Sequence, residues 1–195
     1  MSEKQTVRSG IQYVQSVFEQ TSLLLLTVDE LMDKQDFLGA AYSTCLAETG
    51  VSVAQPSKWL PSEVFRFYAA EDTWPRVLTY ISVLLDDRHG EFMPMEECLL
   101  TAGALISKKD TWGSKDWEYW YARWHGYHDP RPDDGTIVRS DSKDWDDEDE
   151  HNPIEVVFTL GVPLPTVTNG EELKRFLEPL LQEIAPYRKN KGVAP

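Results

Sequence analysis

The first pattern along the chain is helical. Ile11, Val14, Phe18, Leu25, Val28 and Met32 recur at steps of three and four, with Thr21 as the one polar step. That spacing lays one stripe along a helix. Val17, Leu24 and Leu31 widen it, and Leu23, Leu24, Leu25 and Leu26 follow one another. The middle of the helix is then apolar nearly all round, which predicts a central or interface helix covered on more than one side. Residues before about Arg8 read as a frayed end, and the helix is expected to run to about Lys34. Asp29, Glu30 and Asp33 crowd its C-terminal end, where the helix dipole disfavours them, so a cation from elsewhere is expected beside them.

The next stretch reads two ways. Phe37, Leu38, Ala41, Tyr42, Cys45 and Leu46 fit a helical face, with Asp36 as N-cap and Gly50 as stop. The small residues Gly39, Ala40, Ala41 and Ser43 equally mark a tightly packed strand. The short helix is the reading taken. Pro56 and Pro61 then punctuate a loop in which Trp59 and Leu60 are expected to plug the core edge.

From Glu63 the period drops to two. Phe65 and Phe67 fall on one face of a strand, and Val64, Arg66 and Tyr68 on the other. Arg76 to Leu85, rich in Val, Ile, Tyr and Thr, predicts a second strand. Cys98 to Ile106 predicts a third, apolar on both faces and so central and helix-covered, with Gly103 at a bulge or close packing point. Fairly short connections favour antiparallel pairing. Ile154 to Leu164 returns to strand alternation after a brief strand at Thr136 to Arg139. Thr168 opens a capping box with Glu171. The last helix buries Leu173, Phe176, Leu177, Leu180, Leu181 and Ile184, with Pro179 either kinking it or opening a second short helix. Arg188, Lys189 and Lys191 make a small basic tail.

Ser114 to Trp124 predicts an aromatic-rich helix with Trp117, Trp120, Tyr121 and Trp124 on one side. Residues 129–152 change in composition, with Pro130, Pro132, Gly135 and an acidic run from Asp144 to Glu150. Like charges this dense predict a solvated, mobile loop. The elements together make a single α+β domain over residues 1–195. Its antiparallel-rich sheet has about four to five strands, and the long N-terminal, aromatic-rich and C-terminal helices pack on it.

Charge and cysteine content narrow the function classes. The 195 residues carry a formal net charge of −14, which disfavours a broad phosphate-contacting surface and an anionic membrane, and permits a basic partner protein. Two isolated cysteines, Cys45 and Cys98, read as buried free thiols in a reducing compartment. The N-terminus lacks a basic-then-apolar leader pattern, and the longest apolar run is too short for a bilayer, so a cytoplasmic protein is expected.

No phosphate loop, dinucleotide fingerprint, nucleophile elbow, paired-cysteine motif or zincin motif occurs. The best metal candidate is His125, His128 and Asp129, since imidazoles three apart with a carboxylate can share an ion. Gly126 opposes a rigid helix there, and the plainer reading is two histidines trimming a helix end. Asp86, Asp87 and His89, with Glu96 and Glu97 nearby, could hold a divalent cation after a strand, against the plainer reading of a charged loop. No metal or cofactor is called for by either set.

The aromatic surplus carries more weight. One helix face cannot hide every ring between Trp112 and Tyr127, so Trp112, Tyr119 and Tyr127 are candidate contact residues, against the plainer reading of a core stripe. Trp145 with Asp146, Asp147, Glu148 and Asp149 is a candidate segment for a basic groove, against the plainer reading of a solvated linker. The reading is a non-enzymatic interaction protein, an adaptor or inhibitor, with self-association open. The alternatives are a metal-dependent hydrolase and a small-ligand domain with a Trp-lined pocket.

Overall fold

The computed structural model describes residues 3–39, 45–47, 54, 60–70, 76–85, 97–108, 134–144 and 153–188. Helix α1 spans Glu3–Asp33, so it begins well before the expected frayed end at Arg8. It closes through two tight turns, the Gln35 amide donating to the Met32 carbonyl (3.0 Å) and the Asp36 amide to the Asp33 carbonyl (3.0 Å). Asp36 takes the left-handed conformation, φ 60°, which a short polar side chain tolerates. Asp36 therefore ends α1 and does not cap a second helix.

The stretch read as a short helix supplies two strands instead, β1 (Phe37–Gly39) and β2 (Cys45–Ala47). Both pair antiparallel with β3 (Glu63–Ala70), β1 at its far end, Phe37 opposite Ala70, and β2 at its start, Cys45 opposite Phe65. Satisfying the open edge of β3 outweighs the helical spacing of a few side chains. The sheet continues through β4 (Val77–Leu84), β5 (Leu99–Ser107), β6 (Val138–Asp141) and β7 (Ile154–Pro163). Its order is β1-β3-β4-β5-β7-β6, and β2 shares the edge position with β1. Among the described residues seven antiparallel strands thus fill six positions, more than the four to five expected, because β1 and β2 fall in the stretch read as a helix, whereas β6 answers to the brief strand expected at Thr136 to Arg139.

Alternation along the strands builds two apolar layers. Val64, Tyr68, Val77, Ile81, Leu100, Ala102, Val156 and Phe158 share a face with Leu25, Val28 and Met32 of α1. Leu173, Phe176, Leu177, Leu180 and Ile184 of α2 (Gly170–Ile184) complete that layer. Phe65, Phe67, Leu78, Tyr80, Leu105 and Val157 form a second cluster on the opposite face, built among the described residues from strands alone. Phe65 and Phe67 therefore lie opposite Val64 and Tyr68, as period-two alternation requires. Leu60 is exposed and does not plug the core edge; Trp59 lies outside the described residues.

Helix α2 starts one residue later than the expected capping box. Asn169 is its N-cap and accepts from the Glu171 and Glu172 amides (3.1 Å each). Glu172, not Glu171, reaches back to accept from the Thr168 amide (2.7 Å). The Thr168 amide and hydroxyl hold the Glu172 carboxyl below the usual carboxylate range. Pro179 sits inside α2, which continues through it. Within the stretch expected to be a loop, residues 134–144 form an Asx turn at Asp134 (Thr136 amide to Oδ1, 2.8 Å), strand β6 and a 3-10 turn at Ser142–Asp144.

Gly103 is the tightest point of the sheet. A Cβ there would overlap the Tyr80 hydroxyl and the Phe158 carbonyl oxygen, so only glycine lets β4, β5 and β7 close around the Tyr80 ring. Gly103→Ala is expected to destabilise the fold by at least about 3 kcal/mol, read as a lowered urea midpoint with unchanged slope.

Candidate interaction site

The C-terminal half of α1 is fixed to the sheet by a charged anchor. Arg66 and Tyr68 project from the helix-bearing face of β3. The Arg66 guanidinium pairs with the Asp29 carboxylate, and the Tyr68 hydroxyl donates to the same carboxylate (2.8 Å). Arg66 is thus the expected cation at the acidic helix end. Asp29 raises the Arg66 pKa further. Burial, and then Asp29, push the Tyr68 phenol far above its ordinary value of 10.0. Arg188 closes the same end, its guanidinium lying 4.4 Å from the Phe37 ring centroid and donating to the Gln35 carbonyl (2.8 Å).

Among the described residues the N-terminal half has no such anchor, and only Phe18 at its end packs on the core. Val7 is 61% exposed, Ile11 57% and Tyr13 72%, and further along the helix Leu23 is 58% and Leu26 51% exposed. Among the described residues the helix expected to be covered on more than one side meets the sheet and the start of α2 and leaves its remaining sides exposed. Thr21, Leu25, Val28 and Met32 are buried, whereas the same stripe runs out into solvent at Ile11. Val7 and Ile11 continue the stripe beyond the sheet, whereas Tyr13 and Leu23 stand at the groove, so the exposed apolar surface extends over more than one side of the helix.

Beside the exposed residues runs a groove of about 580 Å³ between α1 and the turn into α2. Tyr13, Val17 and Leu24 form one wall, and Leu164, Val167 and Leu173 the other. Gln20, Thr27 and Asn169 edge it. The start of α2 opens on this groove, but Asn169 already occupies the first amides, so the helix end offers an anion little.

Two other polar clusters are internally satisfied. At the β6 edge Arg139 pairs with Asp141 (2.9 Å) and lies 5.7 Å from the Phe158 ring centroid. Nearby Arg76 pairs with Glu155 and lies 5.6 Å from the Tyr187 ring centroid, so each guanidinium already has its carboxylate. On the far face of the sheet the buried Glu63 accepts from the Ser82 hydroxyl, and Tyr80 donates to the Thr159 hydroxyl (3.3 Å). Cys98 is a half-buried free thiol whose Sγ lies 3.5 Å from the Leu85 carbonyl. Among the described residues no three His, Cys, Asp or Glu side chains converge on a metal position, and no helix is long and apolar enough to cross a membrane.

Trp112, Tyr119, Tyr127, Trp145, Asp146, Asp147, Glu148 and Asp149 lie outside the described residues, as do His125, His128, Asp129, Asp86, Asp87 and His89. All seven tryptophans lie outside them too. The exposed residues of α1 were missed although their signal was present: Val7 stands four before Ile11 and continues the stripe. A scan against protein-family models, a search of curated proteins and a search of solved structures each returned no match.

Removing the anchor should loosen α1. Asp29→Ala leaves Tyr68 and Arg66 without their carboxylate and is expected to cost about 1 to 2 kcal/mol in urea unfolding, with faster amide exchange along the C-terminal half of α1. The raised phenol gives a second test. Because only the folded state opposes Tyr68 ionisation, it holds the proton that the unfolded chain gives up above the ordinary value of 10.0. Its stability contribution is full below that value and declines as pH rises past it. Wild type should therefore lose more stability than Tyr68→Phe on going from about pH 9 to pH 11.

Proposed function

We propose that this chain is a non-enzymatic protein-binding module, an adaptor or inhibitor, whose contact surface is the uncovered side of α1 with the adjoining groove. The observation that carries the proposal is the exposure of Val7, Ile11, Tyr13, Leu23 and Leu26 on one helix beside an apolar groove. Fully burying one such side chain is worth roughly 1.5 to 3 kcal/mol, so a few of them suffice to hold a partner. The net charge of −14 favours partners that are neutral or basic at the approach face. The aromatic and acidic residues at 112–127 and 145–149 are proposed as further contacts of the same kind.

A photo-crosslinking residue replacing Tyr13 should form a defined protein adduct in native lysate or in the purified sample. The same residue replacing Lys174, on the exposed side of α2, should not. Leu23→Asp should remove the Tyr13 adduct while leaving the circular dichroism spectrum unchanged. A Tyr13 derivative that forms no protein adduct in either setting contradicts the proposal.

A further inference from the structure

The stripe on α1 is a heptad. Val7, Ile11, Val14, Phe18, Thr21, Leu25, Val28 and Met32 step alternately by four and three through the whole helix. Such a repeat is the seam of a helix pair. The body of the protein takes up its second half, where Thr21, Leu25, Val28 and Met32 are buried, touches Phe18 at the junction, and leaves Val14 half-buried and Val7 and Ile11 exposed. Resting on the reading of α1 as a contact surface, we propose that the open half pairs with the same half of a second copy of this chain, antiparallel, about a two-fold axis between Gln12 and Tyr13.

Three observations support that occupant, and the second of them sets the direction. In an antiparallel pair the seam positions meet in layers, and these residues match: Val7 meets Phe18 of the second copy, and Ile11 meets Val14, with no polar residue in any of the four layers.

Charge excludes most other self-contacts. The chain carries −14, so two copies repel over most of their surface, but residues 3–18 carry +1 through Glu3, Lys4 and Arg8. The antiparallel arrangement brings together only these arms and sends the acidic bodies to opposite ends. It also sets Arg8 beside Glu19 of the second copy, twice by symmetry. A parallel pair would set the two acidic bodies side by side.

The third observation is Gly10. It lies inside a helix, where glycine is unfavourable, and among the described residues nothing outside its own helix backbone lies within 4 Å of the position its Cβ would take. Nothing within the monomer calls for glycine there. In the proposed pair Gly10 falls on the flank that meets Val17 of the second copy and lets the two backbones approach.

The contact is small, under roughly 1,200 Å² in total, which places the pair among reversible interfaces. Sedimentation equilibrium on the full chain, from low to several hundred micromolar, tests it. The mass should rise from 22.3 kDa towards twice that value. Ile11→Asp, at a position exposed in the monomer, should hold the protein at the monomer mass with an unchanged circular dichroism spectrum. Arg8→Glu should weaken the dimer by about five-fold at low salt, and adding Glu19→Arg should restore it.

Direction is read from Val7→Cys under mild oxidation, with wild type as the control for Cys45 and Cys98. In the antiparallel pair the two introduced thiols stand eleven residues apart along the axis, about 16 Å, and stay reduced. A wild-type chain that remains monomeric throughout, an Ile11→Asp variant that still dimerises, or a Val7→Cys disulfide dimer would each overturn the proposal. In the first case a surviving adduct between the Tyr13 derivative and a different protein would leave the binding-module reading standing, and its absence would remove both.

Discussion

The contact of Asp29 with Arg66 and Tyr68 sets the register on which the rest of the surface depends. An apolar heptad does not choose its own position on a sheet. Sliding α1 by seven residues would lay Phe18, Thr21 and Leu25 where Leu25, Val28 and Met32 now pack, with similar burial. It would also place Ser22 where Asp29 stands, removing the carboxylate that the Arg66 guanidinium and the Tyr68 hydroxyl share. A partly buried charge without its partner is costly, so one polar contact decides among apolar alternatives. A buried polar residue fixes the register of a coiled coil in the same way.

That register has a geometric consequence. A helix of 31 residues is about 46 Å long, whereas the 8 residues of β4 span about 27 Å. With Asp29 pinned to β3 and Arg188 closed over Phe37 just beyond, the spare length lies at the N-terminal end. The uncovered residues follow from the length of the helix and the position of its anchor, and not from any single exposed leucine. The sheet itself leaves little room for adjustment. Gly103 lies against Tyr80 and Phe158 with no space for a methyl group, and the buried Glu63 takes a hydrogen bond from Ser82 beneath the same face. The body is a closed, well-packed platform, and the adaptable surface lies on the helix that extends from it.

The fold was legible where hydrophobic spacing was long and regular. The strands around Phe65, Ile81 and Leu100, the alternation from Ile154 onwards and the face of α2 all carry enough repeats to fix their own period. Gly103 was recognisable because a glycine in the middle of an apolar strand has few other uses. The failures fall where the deciding interaction is remote. Phe37 to Leu46 has helical spacing, yet the open edge of β3 claims both ends of that stretch as strands. The cap of α2 moved by one residue because Asn169 competes successfully with Thr168. The candidate surface was half legible. The apolar excess of α1 could be read from its leucines, and the cation near Asp29 was expected without being identifiable as Arg66. Which half of the helix stays uncovered could not be read, since it depends on Asp29 meeting Arg66 and Tyr68 across 37 and 39 residues of chain.

The central claim is that the N-terminal half of α1 serves contact with another chain and meets its own body only near its end, at Phe18. Amide hydrogen exchange along α1, followed from dilute to concentrated protein, tests it most directly. In dilute protein, residues 21–33 should exchange close to the rate of global unfolding, and residues 3–18 much faster. Concentrating the protein should then slow residues 3–18 while leaving residues 21–33 unchanged. Equal and concentration-independent protection of both halves would contradict the account, because the first half would then be held by its own chain.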